Sequence, residues 1–66
     1  MMLTNTEKEF ILAYAKCDMN GKRTGRQLNY HYTNVYYHLD RIQEKTGLDP
    51  RKFYDLIKLL EGVNAK

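Results

Sequence analysis

The sequence predicts an all-α domain of four helices. Apolar residues recur at the three-to-four-residue spacing of a helix face, and no segment alternates apolar and polar residues as a strand does. Residues that begin or end helices separate these segments, among them Asn20-Gly21 and Asp49-Pro50. A chain of 66 residues has room for one small hydrophobic core, so we assign residues 1–66 to a single domain.

The first helix is predicted over residues 5–17 and the second over 22–29. Thr4 and Glu7 fit a capping box, in which each side chain accepts a hydrogen bond from the other residue's backbone amide. The second helix contains Gly25, although glycine inside a helix costs up to about 1 kcal/mol relative to alanine. We therefore expect another helix to pass close to Gly25.

The third helix is predicted over residues 34–46, with Thr33 as its N-cap and Gly47 after its end. One apolar face identifies its inward side: Val35, Leu39 and Ile42. Successive residues of a helix are about 100° apart, so burial of this face turns the opposite side of the helix toward solvent.

The fourth helix is predicted over residues 50–61, with Asp49 as N-cap and Pro50 in the first turn. Its inward stripe is predicted to be Phe53, Leu56, Ile57 and Leu60. Leu59 then points away from the stripe and Val63 flanks it. These two residues are our candidates for a dimer interface.

Helices 2 and 3, joined by a tight turn, have the pattern of a helix-turn-helix unit, whose second helix can lie in the DNA major groove. The chain carries a net charge of +3, and residues 19–46 hold five cations against two carboxylates. A polyanion is attracted to such a segment. The outward residues of the third helix that we expect to contact base edges are Asn34, Tyr36, Tyr37 and Arg41. The residues that we expect to contact phosphates are Lys22, Arg23, Arg26, His31 and Thr33.

The segments Thr24–Leu28 and Thr33–Asp49 resemble the C-terminal helix-turn-helix domain of the PucR and sugar-diacid regulators. They are similar, more loosely, to the NarL/LuxR-type domain. Both resemblances imply a transcription regulator that binds double-stranded DNA. In NarL/LuxR-type domains the fourth helix mediates dimers, so the resemblance implies a homodimer through helix 50–61. The sequence departs from the PucR pattern at Tyr36, His38 and Asp40, where that family tends to carry arginine.

Several other classes of function have little support in the sequence. The chain has no serine nucleophile and no cleft-forming carboxylate pair, so we expect no enzymatic activity, no cofactor and no small-molecule ligand. Cys17, His31 and His38 are too few and too irregularly spaced for a zinc site. The longest apolar stretch has six residues, whereas a transmembrane helix needs about 20, so we expect no membrane association and a cytoplasmic location.

Two alternatives to a DNA-binding role stay open on the sequence. Four tyrosines lie within eight residues of the turn, and tyrosine is abundant at protein interfaces, so this face could belong to a protein-interaction adaptor: Tyr30, Tyr32, Tyr36 and Tyr37. RNA binding is less favoured, because a helix that reads a major groove does not fit A-form RNA.

Overall fold

The structure is a computed structural model that describes residues 3–64, and within this range it consists of four helices and no strand. They are α1 (Asn5–Lys16), α2 (Gly21–Leu28), α3 (Tyr32–Thr46) and α4 (Phe53–Asn64). The predicted all-α class and the number of helices are therefore confirmed.

Helix α1 begins with the predicted capping box. The Glu7 carboxylate accepts a hydrogen bond from the Thr4 amide at 2.9 Å, and the Thr4 hydroxyl accepts one from the Glu7 amide at 3.1 Å. After α1 the chain reverses through Asp18 and Met19, which both have the left-handed backbone conformation, with φ of 56° and 61°. Asn20 then caps α2 by accepting a hydrogen bond from the Arg23 amide.

The hydrophobic core lies where α1, α3 and α4 meet. The predicted inward face of α3 is confirmed, because Val35, Leu39 and Ile42 are all completely buried. The remaining core side chains come from α1 and α4: Phe10, Ile11, Tyr14, Leu56 and Leu59. Burial of one face of α3 in this core fixes which of its side chains reach solvent.

Helix α4 begins three residues later than predicted, at Phe53 instead of Pro50. The segment before it is a turn, in which the Asp49 carboxylate accepts a hydrogen bond from the Arg51 amide at 3.0 Å. The Asp49 carbonyl accepts another from the Lys52 amide at 2.9 Å. Asp49 therefore caps this turn and not α4, and the start predicted at Pro50 is wrong.

The predicted inward stripe of α4 is confirmed at Leu56 and Leu60, which lie in or against the core, and is wrong at Phe53 and Ile57. Leu56 and Leu59 are buried in the core, whereas Phe53 is 61% exposed and Ile57 is 37% exposed. Leu59 has no exposed surface with which to contact a second copy, so it is not a residue of a dimer interface. Val63 is half-buried against the core. The packed side of α4 is shifted from the predicted one toward Leu59 and Val63, and the wide apolar surface of α4 permits this shift.

A half-buried ion pair joins α1 to the end of α3. Lys45 Nζ lies 2.8 Å from Glu7 Oε1, and the Glu7 side chain is 7% exposed. Burial opposes ionisation of Glu7, but hydrogen bonds from Lys45 and Thr4 and the charge of Lys45 outweigh it, so the pKa of this carboxyl is lowered.

Lys45→Met is expected to lower the free energy of unfolding by about 1–2 kcal/mol at pH 7, because it removes a charge-assisted hydrogen bond. A lowered folded-state pKa stabilises the fold above the unfolded-state value and loses that contribution as the pH falls through the folded-state value. The difference between the variant and the parent should therefore shrink below about pH 4.5. Urea unfolding at pH 7 and pH 3.5 measures this change, and a difference that is independent of pH would contradict it.

Candidate nucleic-acid interface

The turn between α2 and α3 lies directly on Gly25. Asn29 ends α2 in the left-handed conformation, with φ of 62°, and the Tyr30 amide donates a hydrogen bond to the Gly25 carbonyl at 2.8 Å. A Cβ atom on Gly25 would lie 2.5 Å from the Tyr30 carbonyl oxygen. The expected close approach at Gly25 is confirmed, although the backbone that approaches is the turn and not another helix.

His31, and not Thr33, is the N-cap of α3. The His31 Nδ1 atom accepts a hydrogen bond from the Thr33 amide at 3.3 Å and lies 2.8 Å from the Thr33 hydroxyl. Helix α3 accordingly starts at Tyr32, two residues before the predicted start, and Thr33 lies in its first turn. The prediction of Thr33 as N-cap was wrong because an imidazole nitrogen can accept the same backbone hydrogen bond as a hydroxyl.

Three predicted base-contacting residues form an exposed ridge along α3, which we call the α3 ridge: Asn34, Tyr37 and Arg41. Tyr37 is 55% exposed, and Arg41 Nη1 lies 3.4 Å from its hydroxyl. The contact is long for a hydrogen bond, but it places the guanidinium and the phenol side by side. The ridge thus presents an amide, a phenol and a guanidinium to solvent.

Tyr36 lies apart from the α3 ridge, on the side of α3 that faces α2. A Cβ atom on Gly21 would lie 2.6 Å from the Tyr36 ring, so the ring packs against the first residue of α2. The ring also meets Tyr32 edge to face, with centroids 6.3 Å apart. Tyr36 therefore packs against α2, while part of its side chain remains exposed to solvent.

The acidic residues near the α3 ridge are paired with arginines. Arg51, from the turn before α4, lies 2.7 Å from the Asp40 carboxylate and 3.0 Å from that of Asp49. Arg51 therefore offsets the charge of Asp40 only in part, because it is shared with Asp49 and the Asp40 side chain is 60% exposed. Glu44 lies 3.9 Å from Arg41, a distance at which the exposed pair is weak and the guanidinium remains available to a ligand.

A basic groove lies beside the N-terminal end of α3, and we call it the α2–turn groove. It has a volume of about 400 Å³ and is lined by Lys22, Arg26, Tyr30, His31 and Tyr32, with no carboxylate among these residues. Lys22 Nζ lies 5.3 Å from the centre of the Tyr32 ring, and the His31 ring stacks on Tyr32 at 4.6 Å. Three predicted phosphate-contacting residues are brought together here.

The other two predicted phosphate-contacting residues are placed differently. Arg23 forms an ion pair with Asp18 at 3.6 Å and does not line the groove. Thr33 contacts His31 from the first turn of α3. The residues that sequence reasoning missed are Tyr30 and Tyr32, which line the groove, although the density of tyrosines around the turn was a signal for them.

A second, smaller groove of about 280 Å³ borders the α3 ridge on the side of α1. Its lining includes Thr6 from α1 together with Tyr37 and Arg41 of the ridge. His38 also borders it, with its ring stacked on Phe10 at 4.4 Å. His38 therefore packs beside the core, and the α3 ridge has a groove near each end of its exposed face.

Comparison with known proteins identifies the fold. The family model of the PucR C-terminal helix-turn-helix domain matches residues 8–63, which span all four helices. The chain belongs to this family. The family implies a DNA-binding regulator in general, and the predicted resemblance is confirmed. No curated protein and no solved structure matches the chain.

Two further observations apply to residues 3–64 of this PucR-type domain. None of its helices is both long enough and apolar enough to cross a membrane. Within the same range, no three side chains of histidine, cysteine, aspartate or glutamate lie together as a metal site would require.

Proposed function

We propose that this PucR-type domain binds double-stranded DNA sequence-specifically and regulates transcription in the cytoplasm, with α3 in the major groove. The observation that carries the proposal is the division of α3 into two faces. Val35, Leu39 and Ile42 are fully buried, while the α3 ridge opposite them is exposed and carries groups that can hydrogen-bond base edges. The proposed role is one of binding, without catalysis.

Each residue of the α3 ridge suits a particular feature of the major groove. Arginine can donate two hydrogen bonds to guanine, and asparagine can pair with adenine through its amide. The Tyr37 ring, beside the Arg41 guanidinium, can pack against a thymine methyl group. Tyr36 is proposed to contact a base at the edge of the α3 ridge, because its ring also packs on Gly21.

The α2–turn groove is proposed to hold the DNA backbone beside the base contacts. Lys22 and Arg26 line it without a carboxylate, so a phosphate entering the groove displaces no internal ion pair there. His31 and Thr33 lie at the same end of α3. Arg23 contributes after leaving Asp18, which costs little because both side chains of this pair are largely exposed.

A homodimer through α4 is proposed with revised contact residues. Phe53, Tyr54 and Ile57 are exposed on α4, whereas Leu59 is buried in the core. Val63, which is half-buried, is retained at the edge of this surface. A two-fold dimer would place the two α3 helices at half-sites about 34 Å apart, one helical turn of DNA.

Binding to a mixed pool of duplex DNA tests the proposal. A domain that makes four to six phosphate contacts should bind DNA roughly a hundred-fold or more weakly when the salt concentration is raised from 50 mM to 200 mM. In sites selected from random DNA, Arg41→Ala should cost about 1–3 kcal/mol at one base position and relax specificity there. Arg26→Ala should weaken all sequences alike, and Lys16→Ala, which removes an exposed cation at the end of α1, serves as the matched control.

Equal effects of Arg41→Ala on selected and random DNA would contradict the assignment of Arg41 to base contacts. The same DNA titration also tests the dimer, because a dimer should bind with a stoichiometry of two chains per selected site. Absence of DNA binding even at 50 mM salt would refute the proposed function and favour the protein-interaction adaptor, whose surface would be the exposed tyrosines beside the turn.

A further inference from the structure

We propose that the groove between α1 and α3 binds a second DNA phosphate, on the strand across the major groove from the phosphate held in the α2–turn groove. Lys45 makes this contact, and Glu7 is the positioning residue that holds the Lys45 ammonium group. The proposal rests on the proposed function for the source of the phosphate. It adds a site, a contact residue and an orientation of α3 on DNA.

The charges of this groove favour an anion. It is the smaller groove of about 280 Å³ that borders the α3 ridge, and we call it the α1–α3 groove. With histidine neutral, its charged lining residues are Arg41 and Lys45 from α3 and Glu7 from α1. Two cations against one carboxylate give it a net charge of +1. A polyanion that approaches the α3 ridge is therefore attracted to this border as well.

The ammonium group of Lys45 has donors left for a ligand. Its Nζ atom lies 2.8 Å from Glu7 Oε1, and an ammonium group carries three N–H donors, so this contact occupies one of them. The Lys45 side chain is 34% exposed, whereas that of Glu7 is 7% exposed. The cation is thus the member of the pair that reaches solvent, and its two other N–H groups can donate to a phosphate in the groove.

Glu7 fixes the position of this ammonium group. Its carboxylate also accepts a hydrogen bond from the Thr4 amide, and its own amide donates to the Thr4 hydroxyl, so the start of α1 holds the Glu7 side chain in place. Ordering a lysine side chain costs up to about 1.5–2 kcal/mol of entropy. Because Glu7 already orders Lys45 in the free domain, less of this entropy remains to be lost when DNA binds.

The position of Lys45 along α3 determines the orientation on DNA. His31 lies in the α2–turn groove directly before α3, and Lys45 lies in the last turn of α3, 14 positions later. At a rise of 1.5 Å per residue, the two are about 20 Å apart along the helix axis. The major groove is about 12 Å wide, so phosphate contacts at both ends of α3 span it. Helix α3 then lies obliquely across the groove, with the α3 ridge between the two strands.

The variant Glu7→Gln/Lys45→Gln tests the contact at constant net charge, because it removes one charge of each sign. The two amide side chains can hydrogen-bond to each other, so the domain should remain folded, which circular dichroism checks. Its affinity for a selected duplex site should fall by about three- to ten-fold. The slope of log affinity against log salt should become shallower by about 0.9, the value for one phosphate contact. An unchanged affinity and slope would overturn the proposal.

Glu7→Gln alone has the opposite expected sign. Glutamine retains an oxygen that accepts from Lys45 and from the Thr4 amide, but it removes the negative charge that opposes a phosphate. The affinity for DNA at 50 mM salt should therefore rise by about two- to five-fold. A pair with a merely structural role would give no such rise.

Glu9→Gln is the matched control for Glu7→Gln. Glu9 is an exposed carboxylate of α1 that does not line the α1–α3 groove, and its removal changes the net charge by the same amount. We expect a smaller effect on the affinity than for Glu7→Gln. An equal rise in both variants would show a general effect of net charge and would contradict the assignment of Glu7 and Lys45 to this site.

Interference by ethylation of single DNA phosphates locates the contact on the duplex. With the full chain on a selected site, we expect interference on both strands of each half-site, on either side of the base pair that Arg41 contacts. Glu7→Gln/Lys45→Gln should lose the interference on one strand, and Arg26→Ala should lose it on the other. Losses on the same strand would overturn the proposed orientation.

The outcomes also separate this proposal from the proposed function. If the domain binds duplex DNA and the parent and the Glu7→Gln/Lys45→Gln variant give the same interference pattern, the DNA-binding role stands and the α1–α3 site is refuted. If the parent does not bind duplex DNA even at low salt, both the role and the site are refuted.

Discussion

Leu59→Ala is expected to lower the free energy of unfolding by about 2–5 kcal/mol, because it leaves a cavity at a fully buried position of the core. A single hydrophobic core in a domain of this size rarely supplies more than about 3–5 kcal/mol, so this loss would leave a substantial unfolded population. Urea unfolding followed by circular dichroism measures the change.

The matched control for Leu59→Ala is Ile57→Ala, two residues earlier on the same helix. Ile57 is exposed, so its truncation should change the stability by only about 0.5 kcal/mol. The pattern expected from the sequence alone was the opposite one, with Ile57 inside and Leu59 outside. A larger loss for Ile57→Ala than for Leu59→Ala would therefore show that α4 packs by its other face.

Gly25→Ala is expected to lower the free energy of unfolding by about 2–3 kcal/mol and the melting temperature by about 10–20 °C. The added Cβ would lie 2.5 Å from the Tyr30 carbonyl oxygen, a backbone atom that moves only if the turn moves. Without such a contact, replacement of glycine by alanine within a helix would stabilise the domain by up to about 1 kcal/mol. The sign of the change therefore tests the geometry of the turn.

Gly21→Ala provides the comparison for Gly25→Ala in the same helix. Its Cβ would meet the far end of the Tyr36 ring at 2.6 Å, and that ring can swing toward solvent. We expect a smaller loss of stability than for Gly25→Ala. Thermal unfolding of both variants makes the comparison, and stabilisation by Gly25→Ala would contradict the packing of the turn on α2.

The sequence predicted the whole inward face of α3 but only Leu56 and Leu60 of that of α4, and the two helices differ in composition. In α3, Val35, Leu39 and Ile42 are the aliphatic residues, and polar or aromatic residues fill the rest of the helix, so only one face can enter the core. In α4, apolar residues cover more than half of the circumference. Periodicity cannot choose between such faces.

The grouping of the candidate site residues depends on contacts that the sequence does not display. Lys22, Arg26 and His31 were expected near phosphates from their charge, but their common groove arises because the turn folds back on Gly25. The ion pair between Asp40 and Arg51 joins residues eleven positions apart, one on α3 and one in the turn before α4. The identity of the N-cap of α3 likewise depends on the direction in which the chain enters the helix.

Arg51 ties the entry of α4 to the middle of α3 through Asp40 and Gln43. A displacement of the turn before α4 would therefore act on the middle of α3, the helix proposed to lie in the major groove. Moving Arg51 by a few ångströms would break its ion pair with Asp40 and leave this exposed carboxylate without a nearby cation. Loosening of the turn before α4 would in this way increase the electrostatic repulsion between α3 and a polyanion.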